Sequence, residues 1–204
     1  MFAIYGEICK KNLKIFLLPA VLSVLLIPAI LLIITDLHNS SVGVAENLCQ
    51  KFFALSGILL MSPIFAPEQK DNVKETLMAK VVPLRTVYFI RLAIALLALA
   101  IYLAGFIWLL ILLGGSDIEF KRFFIHTLAT ALLLGGLGMA GTRFGGNIGV
   151  GYMIAFGFYM IQQFFPIELI RHFYIFTLKG DYNLITVYLG AALLIIAPLV
   201  KSAK

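Results

Sequence analysis

Long apolar runs separated by short polar interruptions make up most of the chain. The runs are continuous rather than alternating. They therefore predict α-helices, not barrel strands, whose inward and outward faces would alternate. The first run, Ile15 to Thr35, has twenty-one residues. As a helix it reaches roughly 31 Å, enough for a hydrocarbon core of about 30 Å. Pro19 and Pro28 are expected to bend it. A polar loop then runs from Asp36 through His38, Asn39 and Ser40 to Asn47. The second span covers Leu48 to Ala66, with Lys51 snorkelling near its outer end. Pro63 and Pro67 are expected to break it. The third runs from Val87 to Leu113, with Arg91 near its inner end. The fourth covers Phe123 to Thr142, the fifth Ile148 to Phe165 and the sixth Leu184 to Val200. The pattern predicts an all-α, polytopic membrane protein with six transmembrane helices.

The interruptions are informative too. Residues 67 to 86, PEQKDNVKETLMAKVVPLRT, are longer than a turn needs. Asn72 followed by Glu75 fits a capping-box-like helix start. Val73, Leu77 and Val81 then fall on one helical face, which Met78 and Val82 widen, while Lys70, Lys74 and Lys80 lie off it. Pro83 ends the helix and disfavours helical geometry at Val82. The prediction is a short amphipathic helix on the cytoplasmic membrane surface; a solvated charged loop would match the same short pattern. Residues 1 to 14 read either as an interfacial helix or as a passive tail. Residues 166 to 183 mix Glu168, Arg171, His172, Lys179 and Asp181 with aromatics. That is too mixed to span and too apolar for a free loop, so an interfacial or re-entrant segment is expected.

Composition agrees with a membrane protein. The chain is 62% hydrophobic and 13% charged, where soluble domains carry about a quarter charged residues. Its mean hydropathy is +1.03. Net charge is +6, and topology accounts for the excess. With a cytoplasmic N-terminus, eleven basic residues fall inside: Lys10, Lys11, Lys14, Lys70, Lys74, Lys80, Arg85, Arg91, Arg143, Lys201 and Lys204. Five fall outside: Lys51, Lys121, Arg122, Arg171 and Lys179. The positive-inside rule thus predicts a multi-pass protein of the inner or plasma membrane, both termini and the charged stretch cytoplasmic. Cys9 and Cys49 are expected on opposite sides and are too few for a disulfide framework. The first run is too long for a secretion signal's core and lacks a clean cleavage site, so it is expected to be retained.

Catalytic signatures are missing. No G-x-x-x-x-G-K-[ST] pattern is present, so nucleotide binding by that route is not expected. The glycine-rich stretch from Gly135 to Gly151 contains no lysine, and Gly141, Gly145 and Gly149 repeat at the spacing that lets helices approach. His38, His126 and His172 have no partner at metal-ligand spacing. His126, near Thr127 and Thr130, is expected to make a buried hydrogen bond; a proton relay or substrate contact is the alternative. Gln162 and Gln163 would either touch a polar substrate or bond a neighbouring helix. With Phe156, Phe158, Tyr159 and Phe164, they are candidates for lining a path. No catalytic residue, metal site or nucleic-acid surface is expected in this chain.

The charged stretch resembles that of the permease subunits of ABC-2-type ABC transporters. Their loop between spans two and three carries an acidic residue, then E-T-L, a proline, a basic residue and the next span. Here these are Glu68, Glu75-Thr76-Leu77, Pro83, Arg85 and Tyr88 leading to Arg91. Span count, termini and the semi-polar segment before the last span are similar too. Lys80 and Val81-Val82 depart from the small polar residues that relatives often carry before the proline. The resemblance implies a single ABC-2-type transmembrane domain over residues 1–204 and a coupling helix gripped by a separate ATP-binding subunit. Lys70, Asp71, Lys74, Glu75, Met78 and Lys80 would contact that subunit; Val73, Leu77 and Val81 would seat the helix. ATP and Mg would be bound by the partner, present in two copies, beside a second permease copy or a related permease. The implied function is export of an amphipathic or hydrophobic cargo. A membrane scaffold or assembly protein without a transport cycle is the alternative.

Overall fold

The computed structural model describes residues 42–69, 84–114, 119–164, 175–176 and 184–199. The first predicted span, the amphipathic stretch at 70–82 and most of the 166–183 segment lie outside them. Five α-helices are present among the described residues: α1 Val42–Met61, α2 Leu84–Gly114, α3 Phe120–Gly145, α4 Ile148–Phe164 and α5 Leu184–Leu199. A 3-10 segment, Ser62–Gln69, follows α1. The described residues contain no strand.

α2 and α3 are long and apolar enough to cross a membrane; α1, α4 and α5 contribute shorter apolar helices. At roughly 1.5 Å per residue, the 31 residues of α2 reach about 46 Å, and the 26 of α3 about 39 Å. Both extend three residues beyond the predicted span at the start, because a helix continues past the apolar core until its backbone is stopped. α1 departs further from expectation. It begins at Val42, not after a polar loop ending at Asn47. Glu46 and Asn47 are polar, but neither terminates a helix; polarity marks where water lies, not where the backbone hydrogen bonds end. The α-helix ends at Met61, five residues before the predicted Ala66; the break falls at Pro63, whereas Pro67 lies inside the 3-10 segment. Pro63 has no N–H to offer the Leu59 carbonyl, and the winding tightens from α to 3-10 at Ser62.

α3 is the centre. Its apolar window is 72% buried against 39% for α2, and it packs most extensively against α1, α5 and α4. The residue pairs give the directions. On α3, Ala131 faces Gly57, Gly135 faces Met61 and Gly138 faces Ser62, so α1 and α3 run parallel. Leu133 meets Gly190 and Gly136 meets Leu193, so α5 runs the same way. Phe53 of α1 packs on Tyr102 and Phe106 of α2, at ring-centroid distances of 5.3 and 4.9 Å. Ile64 meets Arg91. α2 is therefore antiparallel to α1, and α4 is antiparallel to α3.

Glycine permits these approaches. A Cβ at Gly57 would strike the Ala131 carbonyl, and one at Gly190 would sit 2.9 Å from the Leu133 amide nitrogen. Gly141 and Gly151 face each other, with a Cβ on the former 3.0 Å from the Cα of the latter. Gly149, expected in the same packing stripe, instead stands beside Asn147. Its N–H donates to Asn147 Oδ1 at 2.8 Å, capping α4. The turn before it uses Gly146 in the left-handed conformation, φ 65°. Arg143, expected at the turn, lies in the last turn of α3, where its charge opposes the helix dipole.

Candidate functional site

The residues expected to meet a partner, Lys70, Asp71, Lys74, Glu75, Met78 and Lys80, and the seating residues Val73, Leu77 and Val81, lie outside the described residues. The chain leading into them is described. Within Ser62–Gln69, Ser62, Ile64 and Phe65 are buried. In a 3-10 turn the Ile64 carbonyl would take its proton from residue 67, but that residue is Pro67. Arg91 Nη1, from α2, donates to this carbonyl at 3.0 Å instead. Arg91 is only 5% exposed. A hydrogen bond from a charged donor to a buried acceptor contributes about 1.5–3 kcal/mol.

Two residues of α3 hold the same segment. The Thr142 hydroxyl lies 3.1 Å from the Ser62 carbonyl and 2.9 Å from the Gly138 carbonyl, so its one proton is shared between them. Arg143 places its guanidinium 5.1 Å from the Phe65 ring centroid and 5.4 Å from that of Tyr88 on α2. The two rings meet edge to face at 4.8 Å. Each cation–π contact contributes on the order of 0.5–2 kcal/mol. Arg91, Thr142 and Arg143 thus form a clasp around the exit of α1, with donors from two other helices. Among these residues, Arg91, Arg143 and Tyr88 carried sequence interest only for charge placement and motif, and Thr142 and Phe65 none. An arginine within an apolar run, opposite a proline-broken helix end, is the available signal.

At the other end of the bundle, the candidate path residues gather around Ile175 and Phe176. Gln162 is buried, and its Oε1 accepts the Ile175 N–H at 3.3 Å. The Tyr159 ring meets Phe176 edge to face at 6.0 Å. Phe156 packs beside Tyr152 at 6.1 Å, and Phe158 is half-buried against the same cluster. Phe164 is exposed. Phe176 is fully buried in a cluster with Ala54 and Ile58 of α1, Leu134 of α3 and Ala155 of α4. Residues 175 and 176 are not helical. Irregular backbone packed inside a bundle needs its N–H satisfied by protein, and Gln162 does so here. Gln162→Leu is expected to lower stability by about 1–3 kcal/mol by orphaning that N–H. Gln163→Leu should cost less, since Gln163 is only half-buried. Thermal melts of the purified variants would separate the two; equal melting points would count against this role.

His126 is buried in α3 beside the buried Thr127 and Thr130, and the Thr130 hydroxyl donates to the His126 backbone carbonyl at 3.0 Å. The chain matches no protein-family model, no curated protein and no solved structure.

Proposed function

We propose that this chain is the membrane-spanning permease subunit of an ABC transporter, driven by a separate ATP-binding chain present in two copies. Six spans with both termini in the cytoplasm, and a second permease copy, belong to the same reading. Its cargo is amphipathic or hydrophobic and is exported. The reading is supported by two helices long and apolar enough to cross a membrane. It is supported also by the bias of basic residues toward one side and by the resemblance of the 68–91 stretch. One observation carries it furthest. The chain that leads into 70–82 leaves the bundle at a fixed point, between Arg91 of α2 and Arg143 of α3. A lever transmits force only if its base is held, and here the base is held.

In this reading the exposed apolar face of α2, with Leu97, Ile101, Trp108 and Leu112, faces lipid. Closure of the ATP-binding chains displaces the 70–82 segment, and the bundle opens a path to the opposite side. Purification of the full chain from membranes under mild detergent tests the reading: an ATP-hydrolysing chain is expected to accompany it. Glu75→Arg should leave the protein inserted and ATP hydrolysis running, while transport per ATP falls at least tenfold. A chain that purifies without any ATP-hydrolysing partner would favour the scaffold reading instead.

A further inference from the structure

The order of connections suggests that a push on residues 70–82 reaches the bundle through their covalent neighbour α2, which begins at Leu84. The clasp points to a second route. Ser62 and Phe65 are held by Thr142 and Arg143, both in the last turn of α3. We infer that Thr142 and Arg143 are positioning residues that make the base of the 70–82 segment move as one body with α3, the helix against which α1, α4 and α5 all pack. This goes beyond the proposed function, on which its mechanical meaning rests; the anchoring itself does not depend on that reading.

Three features of the site carry the inference. The hydrogen bond is buried: Ser62 and Thr142 are 0% and 1% exposed, so water competes little for it. The contacts differ in kind, a hydroxyl on a backbone carbonyl and a guanidinium against two rings, so no single rotamer change releases both. They also include Tyr88 of α2, which meets Phe65 and Arg143 together. α2 and α3 therefore grip the segment at one point. The guanidinium suits this role, since its delocalised charge sits near both rings at once where an ammonium is a compact point charge.

The test needs the full chain alone, in lipid bilayers, with Cys9 and Cys49 replaced by serine. One spin-label pair is placed at Gln69→Cys, at the end of the 3-10 segment, and Phe144→Cys, exposed at the end of α3. A second, control pair is placed at Leu97→Cys and Met153→Cys, exposed on α2 and α4. A narrow 69–144 distance distribution is expected with the clasp intact. Adding Arg143→Met together with Thr142→Val should at least double its width, while the 97–153 distribution stays unchanged. Arg143→Lys, with Thr142 kept, should fall between. A 69–144 distribution already broad with the clasp intact, or one as narrow in the double variant, would overturn the inference. Broadening of both pairs would also overturn it, because the residues would then support the whole bundle rather than position this segment. None of these outcomes depends on whether an ATP-hydrolysing partner exists, so failure of the transport reading would be seen separately.

Discussion

Gly57→Val is expected to leave no monodisperse protein after detergent extraction. A Cβ at this position would land on the Ala131 carbonyl, with the Ala131 Cα 2.9 Å away. Those atoms are backbone and cannot swing aside as a side chain would. Overpacking that neighbouring side chains can absorb costs about 1–3 kcal/mol; here α1 must separate from α3 along their length. The separation would also pull Met61 from Gly135 and Ser62 from Gly138. Gly105 and Gly157 supply the controls, since a Cβ on either meets nothing within 4 Å. Gly105→Val and Gly157→Val should extract and elute like the parent chain. Size-exclusion profiles of the three variants decide the matter. A sharp, unshifted Gly57→Val peak would mean that α1 and α3 do not pack as described.

The second large effect is expected at Arg91. Arg91→Met keeps much of the apolar stem but removes the donor that replaces the missing N–H of Pro67. The Ile64 carbonyl, on a residue that is 0% exposed, is then left without that partner. A loss of about 1–3 kcal/mol follows from orphaning a buried acceptor. Arg91→Lys should recover part of it, since an ammonium still donates but lacks the guanidinium's fixed fork. Thermal unfolding of the purified protein should therefore rank parent, Arg91→Lys and Arg91→Met in falling order. If Arg91→Met melted with the parent, the hydrogen bond to Ile64 would contribute nothing. Pro67→Ala in the Arg91→Met background sharpens the test, because residue 67 regains an N–H and should recover stability.

Much of the helical layout was legible in the run lengths. α4 and α5 lie within a residue of their predicted limits, and α2 and α3 within three. That worked because a continuous apolar run in a chain of this composition has few other folds open to it. The start of α1 was not legible, because Glu46 and Asn47 mark polarity without ending a helix. The glycine stripe was half legible. Gly141 does sit at a close approach, but the spacing alone could not assign Gly149 to a helix cap. Nor could it show that Gly57 and Gly190, from distant runs, complete the packing. The clasp was illegible for a different reason. Arg91 and Thr142 bond backbone carbonyls, which every residue carries, so no pairing of side-chain types betrays them. Gln162 reads as a polar residue near the end of an apolar helix, touching a polar substrate or bonding a neighbouring helix; it bonds a non-helical segment instead. Its partner, the Ile175 amide, leaves no mark in the sequence.

The two-residue connection at Gly146 and Asn147 has a consequence for biosynthesis. α3 carries His126, Thr127, Thr130 and Thr142 in buried positions, a poor surface to present to acyl chains by itself. With so little slack after it, α4 is held alongside α3, against which it packs. In the membrane-spanning reading proposed above, the pair would enter the bilayer as a hairpin, and lengthening that connection would leave the polar positions of α3 uncovered for longer.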